Sequence, residues 1–245
     1  MKVLIFAAGL GTRLKYLTKN KPKALVEFNG KPILEHLILN LKSQGFNDFV
    51  INVHHFADQI ENFLKENNNF NSNIEISDER EMLLETGGGL LKAKKFLINS
   101  DNFIIYNADI FSDINLKKLI KKHKKNKAIA TLAVQERDTS RKLLFNEENE
   151  LCQWKNFATN EVKTAKETKS KLTAWSFTGI HIVNNQIFNH ITETGKFSII
   201  DLYLRLAKKH KISAYKANNT FWFDLGKPEN IKVAETYVKK HATLL

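Results

Sequence analysis

Short apolar stretches alternate with amphipathic stretches over the first half of the chain. Apolar runs that predict strands lie at residues 2–7, 49–53, 74–77 and 103–107. Apolar residues at helical spacing predict helices at 33–44, 57–65 and 88–96, the last of them after a glycine-rich loop. This alternation is typical of β-α-β units built around a mostly parallel sheet.

The pattern changes after residue 127. Four apolar runs, at 128–134, 142–146, 151–154 and 175–183, predict successive strands without a long helix between them. Residues 156–171 are polar and predict a loop or hairpin. A strongly amphipathic helix at 198–210, strands at 211–216 and 220–223, and a closing helix at 228–240 follow. No linker divides the chain, so we expect one α/β domain over residues 1–245 with an antiparallel extension.

Composition narrows the class of protein. The chain has 245 residues, one cysteine and no apolar run of about 20 residues, which excludes internal disulfides, cysteine-based zinc sites and a transmembrane helix. We therefore expect a soluble, cytoplasmic protein without a membrane partner. The sequence leaves open whether the protein forms a homo-oligomer.

The net charge is +12, and most of the cations are lysines. The densest basic run, residues 117–127, carries Leu116, Leu119, Ile120 and His123 at helical spacing. This spacing predicts a surface helix with a solvated basic face, so no nucleic-acid partner is expected, although the charge keeps that class as a rival.

The first candidate site follows the first strand. That strand runs into Ala8, Gly9, Leu10, Gly11, Thr12 and Arg13. Glycines at a strand's carboxyl end let backbone N–H groups approach phosphates closely. The spacing matches neither the dinucleotide fingerprint nor a Walker A loop. With Arg13 and Lys23 as a forked and a point cation, the segment suits a triphosphate.

Three further segments carry candidate chemistry. Asp109 and Asp224 each follow an apolar strand, where one or two carboxylates could hold Mg²⁺ on a nucleotide, although a capping or turn role is an equal alternative. Three glycines at 87–89 predict a loop whose exposed backbone could hydrogen-bond a base edge.

Together these segments resemble the sugar-1-phosphate nucleotidyltransferases, and the resemblance extends over nearly the whole chain. It implies a Rossmann-like, three-layer α/β/α core with a small antiparallel sugar-binding extension. Residues 1–127 would be mainly the nucleotide-binding half, and residues 128–245 mainly the sugar-binding half and closing helices. It also implies Mg²⁺ as cofactor, with a nucleoside triphosphate and a sugar 1-phosphate as substrates.

The resemblance also implies roles for individual residues. The triphosphate loop would be Ala8 to Arg13, with Lys23 contacting the phosphates. Asp109 and Asp224 would bind the metal, and catalysis would depend on Arg13, Lys23, Asp109 and Asp224. The base would meet Thr86, Gly87 and Gly88, and the sugar would meet Asn107, Thr178 and Gly179.

The run from Val53 to Ile60, followed by Glu85-Thr86-Gly87, is most similar to N-acetylmuramate-1-phosphate uridylyltransferases of cell-wall recycling. Short mannose-1-phosphate guanylyltransferases are the next alternative, followed by glucose 1-phosphate or phosphocholine as acceptor. An aromatic cage for choline would need Trp154, Trp175 or Trp222. A non-catalytic paralogue that binds a sugar nucleotide is the rival from a different class.

Overall fold

Residues 1–241, which the computed structural model describes, form fourteen strands and seven α-helices. The strands are β1 (Val3–Phe6), β2 (Glu27–Phe28), β3 (Lys31–Pro32), β4 (Asp48–Val53), β5 (Asn73–Asp78), β6 (Asn102–Asn107), β7 (Ile110–Ser112), β8 (Ala130–Gln135), β9 (Arg141–Phe145), β10 (Leu151–Asn156), β11 (Val162–Thr164), β12 (Thr173–Asn184), β13 (Ile212–Lys216) and β14 (Trp222–Asp224). The helices are α1 (Ile33–Ser43), α2 (Ala57–Glu66), α3 (Glu85–Lys92), α4 (Lys94–Leu97), α5 (Leu116–Asn126), α6 (Ile199–Ala207) and α7 (Pro228–Lys240).

The central sheet is parallel on one side and mixed on the other. Strands β5, β4, β1 and β6 lie side by side in parallel, as the alternating sequence pattern predicts. The long strand β12 then runs antiparallel to both β6 and β8, and β13 pairs with β8 in parallel. The amino-terminal residues of β12 pair with β9, which continues into the antiparallel β10 and β11. The segment 156–171, predicted as a loop or hairpin, contains the turn between β10 and β11, β11 itself and most of the connection to β12.

Side chains that alternate along β1 form the two faces of the sheet. Val3 and Ile5 pack into a cluster with α1, α2 and α5, whereas Leu4 and Phe6 pack into one with α3, α4 and α6. All four side chains are almost fully buried. Two covered faces make the three α/β/α layers, and the antiparallel strands β9 to β11 form the extension. The three-layer core and the antiparallel extension that the sequence predicts are therefore both confirmed.

A third, smaller cluster holds α7 against the sheet edge. Phe111 in β7 and Leu225 after β14 pack there with Ile231 and Val238 of α7. Sequence reasoning missed β7, which pairs antiparallel with β14. This pairing brings the chain near residue 224 back to the end of β6, where the candidate site lies.

Two predicted helices have different outcomes. The basic run forms α5, with Leu116, Leu119 and His123 buried, so its cations line a solvated face as predicted. The helix predicted at 88–96 after a glycine-rich loop begins earlier, at Glu85, so the whole glycine triplet lies inside α3. None of the helices within residues 1–241 combines the length and apolar character needed to cross a bilayer. The division into halves at residue 127 stays a prediction.

Candidate active site

Two asparagines lie at the carboxyl ends of the parallel strands β4 and β6, level with the end of β1 between them. Phe6 of β1 is in register with Asn52 of β4 on one side and with Asn107 of β6 on the other. The phosphate-loop candidate begins directly after this row. The carboxyl edge of a parallel sheet is where α/β proteins bind ligands, because loops diverge there and leave a crevice.

The segment after β1 presents free backbone donors. Gly9 and Leu10 are exposed, and the N–H groups of Gly9, Leu10 and Gly11 donate no hydrogen bond to any other group within residues 1–241. Gly11 has a φ of 68°, and a Cβ there would lie 2.8 Å from the Thr18 side chain. A glycine is therefore required at position 11, and the loop holds three consecutive backbone donors without a partner among the described residues.

A cavity of about 360 Å³ opens beside this loop. Six of the residues predicted for the site line it: Ala8, Gly9, Lys23, Thr86, Asn107 and Asp109. Asn52 and Glu79, which the sequence reasoning did not single out, line it as well. The cavity therefore joins the phosphate-loop candidate to the residue predicted to start the base site.

Lys23 and Asp109 form the inner ion pair of the site. The Lys23 Nζ lies 2.7 Å from Asp109 Oδ2, and both side chains are largely buried. Lys23 reaches this position because a short turn of 3-10 helix, Lys23–Leu25, begins directly after Pro22. Asp109 follows β6 by two residues, so the sheet edge fixes its position.

Asp224 converges on the same point from the other side. Its Oδ2 lies 3.3 Å from Arg13 Nη1, and Arg13 Nη2 lies 3.9 Å from Asp109 Oδ2. A Cβ on Gly226 would lie 2.6 Å from Arg13 Nη2, 2.7 Å from Asp224 Oδ1 and 3.1 Å from Asp109 Oδ2. The two carboxylates and the guanidinium thus surround one glycine, which only a residue without a side chain permits.

Charge rather than solvent controls the ionisation of Asp109. Burial alone would raise the pKa of its carboxyl group, but the Lys23 ammonium and the Arg13 guanidinium hold that pKa below its ordinary value. Asp109 is therefore ionised at neutral pH although its side chain is nearly buried. It keeps the negative charge that a cation would need in this position.

Asn52 supports the loop from below, and sequence reasoning missed it. Its Oδ1 accepts hydrogen bonds from the N–H groups of Ala7 and Ala8, at 2.6 and 3.2 Å. Its Nδ2 donates to Glu79 Oε1 at 2.8 Å, and Glu79 Oε2 accepts from Leu84 N–H at 3.2 Å. The available signal was an asparagine inside the otherwise apolar strand β4. These contacts position the start of the loop.

The glycine triplet serves close packing. The N–H groups of Gly87 and Gly88 both donate to the Phe197 carbonyl, and a Cβ on Gly87 would lie 2.3 Å from the Phe197 ring. A Cβ on Gly88 would lie 2.3 Å from the Gly195 carbonyl oxygen. Thr86 lines the cavity, whereas Gly87 and Gly88 are buried against residues 195–197. A contact of these three residues with a base stays a prediction.

The predicted sugar residues meet at a bulge in β12. Gly179 has a φ of 80°, and a Cβ there would lie 2.7 Å from Asn107 Nδ2. The pairing of β12 with β8 shifts register between Phe177 and His181, which accommodates this backbone. The Thr178 hydroxyl is buried and donates to the Ala133 carbonyl. Gly179 therefore lies against Asn107, which lines the cavity, and the hydroxyl of Thr178 points into the fold.

Asp109 and Asp224 are the residues here that could hold a metal ion. No group of three or more His, Cys, Asp or Glu side chains within residues 1–241 forms a metal-binding cluster. Two carboxylates nevertheless suit Mg²⁺ on a nucleotide, because phosphate oxygens and water complete its octahedral shell. The donor set therefore fits a cation brought by a phosphorylated substrate better than a permanently bound one.

A doubly covered sheet carries N–H groups without partners, cations and paired carboxylates at its carboxyl edge, an arrangement typical of α/β proteins that bind phosphorylated ligands. The chain matches the family described as "Nucleotidyl transferase" over residues 2–241, and it belongs to that family.

Named relatives match nearly the whole chain. It is 29% identical over 242 residues to a UTP–glucose-1-phosphate uridylyltransferase of Synechocystis, 93% of this chain and 60% of that protein. It is 30% identical to a mannose-1-phosphate guanyltransferase of Aspergillus oryzae, and the match covers 94% of this chain and 62% of that protein. It is 29% identical to an N-acetylmuramate α-1-phosphate uridylyltransferase of Caulobacter vibrioides, and the match covers 95% of this chain and 94% of that protein. The chain thus spans about 60% of the length of the first two relatives.

A solved structure shares the fold. The crystal structure of HddC from Yersinia pseudotuberculosis superimposes with a TM-score of 0.76, at 25% sequence identity, over 96% of this chain and 98% of that one. The Rossmann-like α/β architecture predicted from the sequence is therefore confirmed both by the topology and by this likeness.

Proposed function

We propose that this protein transfers a nucleotidyl group from a nucleoside triphosphate to a sugar 1-phosphate and releases pyrophosphate. The observation that carries the proposal is the convergence of Asp109, Asp224 and Arg13 around Gly226, with Lys23 paired to Asp109. Lys23 and Asp109 line a cavity, and the loop beside it offers three backbone donors that have no partner within residues 1–241. A triphosphate needs both kinds of group, because its charge must be neutralised and its oxygens must be hydrogen-bonded.

The residues divide the work by position. The N–H groups of Gly9, Leu10 and Gly11 bind and orient the phosphate chain, and Lys23 and Arg13 neutralise its charge. A phosphate oxygen of the sugar 1-phosphate attacks the α-phosphorus in line, and pyrophosphate leaves. This oxygen needs no general base, because the second pKa of a phosphate monoester is near ~6. Catalysis then rests on positioning and on charge stabilisation of the transition state.

Asp109 and Asp224 would hold Mg²⁺. When bound, this ion supplies a Lewis acid that polarises phosphate oxygens and offsets the developing charge. Both carboxylates are engaged by Lys23 and Arg13 in the structure. The same cations can turn to the phosphate oxygens when a substrate arrives, because lysine and arginine side chains are long and flexible.

UTP and N-acetylmuramate 1-phosphate are the proposed substrate pair. The segment from Val53 to Ile60 and the ETGGG sequence of α3 support it, as does the relative from Caulobacter vibrioides. GTP with mannose 1-phosphate is the second candidate, supported by the relative from Aspergillus oryzae. Phosphocholine is disfavoured, because a cation of the chain already lies over each ring that could cage it: Arg137 over Trp222, Lys163 over Trp154 and Lys216 over Trp175.

Measurement of pyrophosphate release tests both the proposed reaction and the proposed substrate pair. The four ribonucleoside triphosphates and dTTP are crossed with the 1-phosphates of N-acetylmuramate, N-acetylglucosamine, glucose and mannose, with Mg²⁺ present. We expect release with UTP and N-acetylmuramate 1-phosphate and none in the Asp109→Asn variant. Release with GTP and mannose 1-phosphate would keep the reaction and replace the substrate pair. No release in any combination, from protein shown to be folded, would favour the non-catalytic binding protein.

A further inference from the structure

A second, basic recess lies next to the candidate active site. It has a volume of about 320 Å³ and lies between the antiparallel extension and the start of α6. Its cations are Arg137, Arg141, Lys142 and Lys163, and Asp201 is its one acidic residue. We call these five residues with their enclosed space the basic recess.

The positive charge of the basic recess is largely uncompensated. Asp201 pairs with Lys163 at 2.8 Å. Within residues 1–241, no carboxylate lies within 4.0 Å of a charged nitrogen of Arg137, Arg141 or Lys142. Like charges gathered in a concave site repel one another and raise the local concentration of anions. A bound anion would relieve this repulsion.

Arg137 joins the basic recess to the carboxylate pair. Its guanidinium carbon lies 3.5 Å from the centre of the Trp222 ring, and its Nη2 donates to the Phe177 carbonyl at 2.6 Å. Its Nε is buried without a hydrogen-bond partner in the described chain. Trp222 lies two residues before Asp224 in β14, so one strand borders both sites. Burial lowers the pKa of Arg137 to about 10, and Asp224 opposes this shift, so Arg137 is charged at neutral pH.

The start of α6 makes the second connection. Thr86, which lines the nucleotide cavity, accepts a hydrogen bond from the Ile199 N–H through its Oγ1 at 3.0 Å. Ser198 and Ile200, on either side of Ile199, line the basic recess. The two spaces therefore share a wall, and the recess lies directly beside the cavity proposed for the nucleotide.

We infer that the basic recess binds a second anionic group, a carboxylate, on the sugar 1-phosphate that the protein uses. The inference rests on the proposed nucleotidyl transfer and deepens it by naming a class of acceptor. The 1-phosphate itself must meet the triphosphate beside Asp109 and Asp224, where Arg13 and Lys23 serve it. A neutral hexose would leave the cations of the recess without a partner, whereas arginine binds carboxylates through two parallel hydrogen bonds.

A matched pair of acceptors tests the inference. N-acetylmuramate 1-phosphate and N-acetylglucosamine 1-phosphate share the ring and the phosphate, and they differ in one lactyl ether that ends in a carboxylate. The wild type is compared with the double variant Arg141→Gln, Lys142→Gln. The matched control is Lys121→Gln, which removes an exposed lysine on the basic face of α5.

We expect the wild type to prefer N-acetylmuramate 1-phosphate by at least about tenfold in kcat/KM, the effect of one charged hydrogen bond. The double variant should lose this preference through KM, while its kcat/KM for N-acetylglucosamine 1-phosphate stays unchanged. The Lys121→Gln control should keep the wild-type ratio. Equal kcat/KM for the two acceptors in the wild type, or an unchanged ratio in the double variant, would overturn the inference and leave nucleotidyl transfer standing.

Direct binding separates this inference from a failure of the proposed reaction. Titration calorimetry of both sugar 1-phosphates needs no turnover. Tighter binding of N-acetylmuramate 1-phosphate, abolished in the double variant, would support the basic recess even if no pyrophosphate were released. Equal affinity of the wild type for both compounds would overturn it.

Discussion

The Lys23 ammonium lies 2.7 Å from the Asp109 carboxylate, inside the site and largely out of water. This pair sets the ionisation of the residue that we propose as a metal ligand. Burial would raise the pKa of Asp109, and Lys23, followed by Arg13, brings it below its ordinary value. The negative charge at the centre of the site therefore depends on a residue 86 positions earlier in the chain.

Replacement of Lys23 by Met should shift the acid limb of activity. Without the ammonium, the strongest influence that lowers the pKa of Asp109 against its burial is lost, so this pKa rises and the ionised form is lost at a higher pH. We expect the acid limb of kcat/KM to move to higher pH, together with a loss of activity of at least about 100-fold. Pyrophosphate release measured between pH 5 and 8 checks this. Lys21→Met, an exposed lysine in the same loop, is the control, and an acid limb common to Lys23→Met and the wild type would contradict the prediction.

Asn52 should control the affinity for the triphosphate by positioning the start of the phosphate loop. Asn52→Leu leaves the N–H groups of Ala7 and Ala8 and one oxygen of Glu79 without their partner. Each unsatisfied buried group costs about 1–3 kcal/mol, so the free energy of unfolding should fall and the loop should lose its position. We expect a rise of about tenfold or more in KM for the triphosphate, measured by pyrophosphate release.

Asn185→Leu is the matched control for Asn52. The Asn185 side chain also hydrogen-bonds the backbone, here by donating to the Ile98 carbonyl, but it lies at the opposite end of the sheet. This variant should lose stability and keep the wild-type KM. If both variants lose stability and neither changes KM, Asn52 has only a structural role.

The sequence predicted the parts of the site that local pattern determines. Strand ends can be located from an apolar run, and Gly9, Asp109 and Asp224 each follow one. The pairing of β7 with β14 then brings Asp109 and Asp224 together, and this pairing was not predictable from two strands of three residues each. Convergence is a property of the topology, so it needed the structure.

Long-range contacts explain what sequence reasoning missed. Asn52 and Glu79 meet because β4 and β5 are neighbours, and Arg137 meets Trp222 across 85 positions. The helix after the glycine-rich loop was predicted to begin only at Gly88, and glycine itself disfavours helices. In the structure, residues 195–197 approach α3 so closely that a side chain on Gly87 or Gly88 would overlap them, and this contact requires glycine inside the helix. Tertiary packing has overridden local propensity there.

Gly226→Ala should reduce activity with little effect on the fold. The added methyl group would meet Arg13 Nη2 and Asp224 Oδ1 at less than 3 Å, and both atoms belong to side chains that can shift. The shift separates the groups that converge on the metal and the phosphates, so we expect kcat to fall by about 100-fold. Lys227→Ala, an exposed neighbour, should keep wild-type kcat. Near-normal turnover of Gly226→Ala would show that the spacing of the two carboxylates is not critical.

His181 should make the fold sensitive to acid. Its ring is fully buried in β12 near Phe177 and Tyr203, neither ring nitrogen has a hydrogen-bond partner within the described residues, and burial lowers its pKa to about 3. Below about pH 6.5 the unfolded chain takes up a proton that the folded chain refuses, so the free energy of unfolding falls as the pH falls towards 3. Between pH 7 and 5 this loss amounts to about 2 kcal/mol.

The variant His181→Leu replaces the titrating imidazole with an apolar side chain of similar size. Its free energy of unfolding, measured by urea titration at pH 7, 6 and 5, should decline with falling pH by about 2 kcal/mol less than that of the wild type. His55→Gln, which replaces an exposed histidine, should follow the wild-type curve. A decline in His181→Leu as steep as in the wild type would mean that the buried imidazole is not the source of the acid sensitivity, because only a group whose protonation differs between the folded and unfolded chain contributes to the slope.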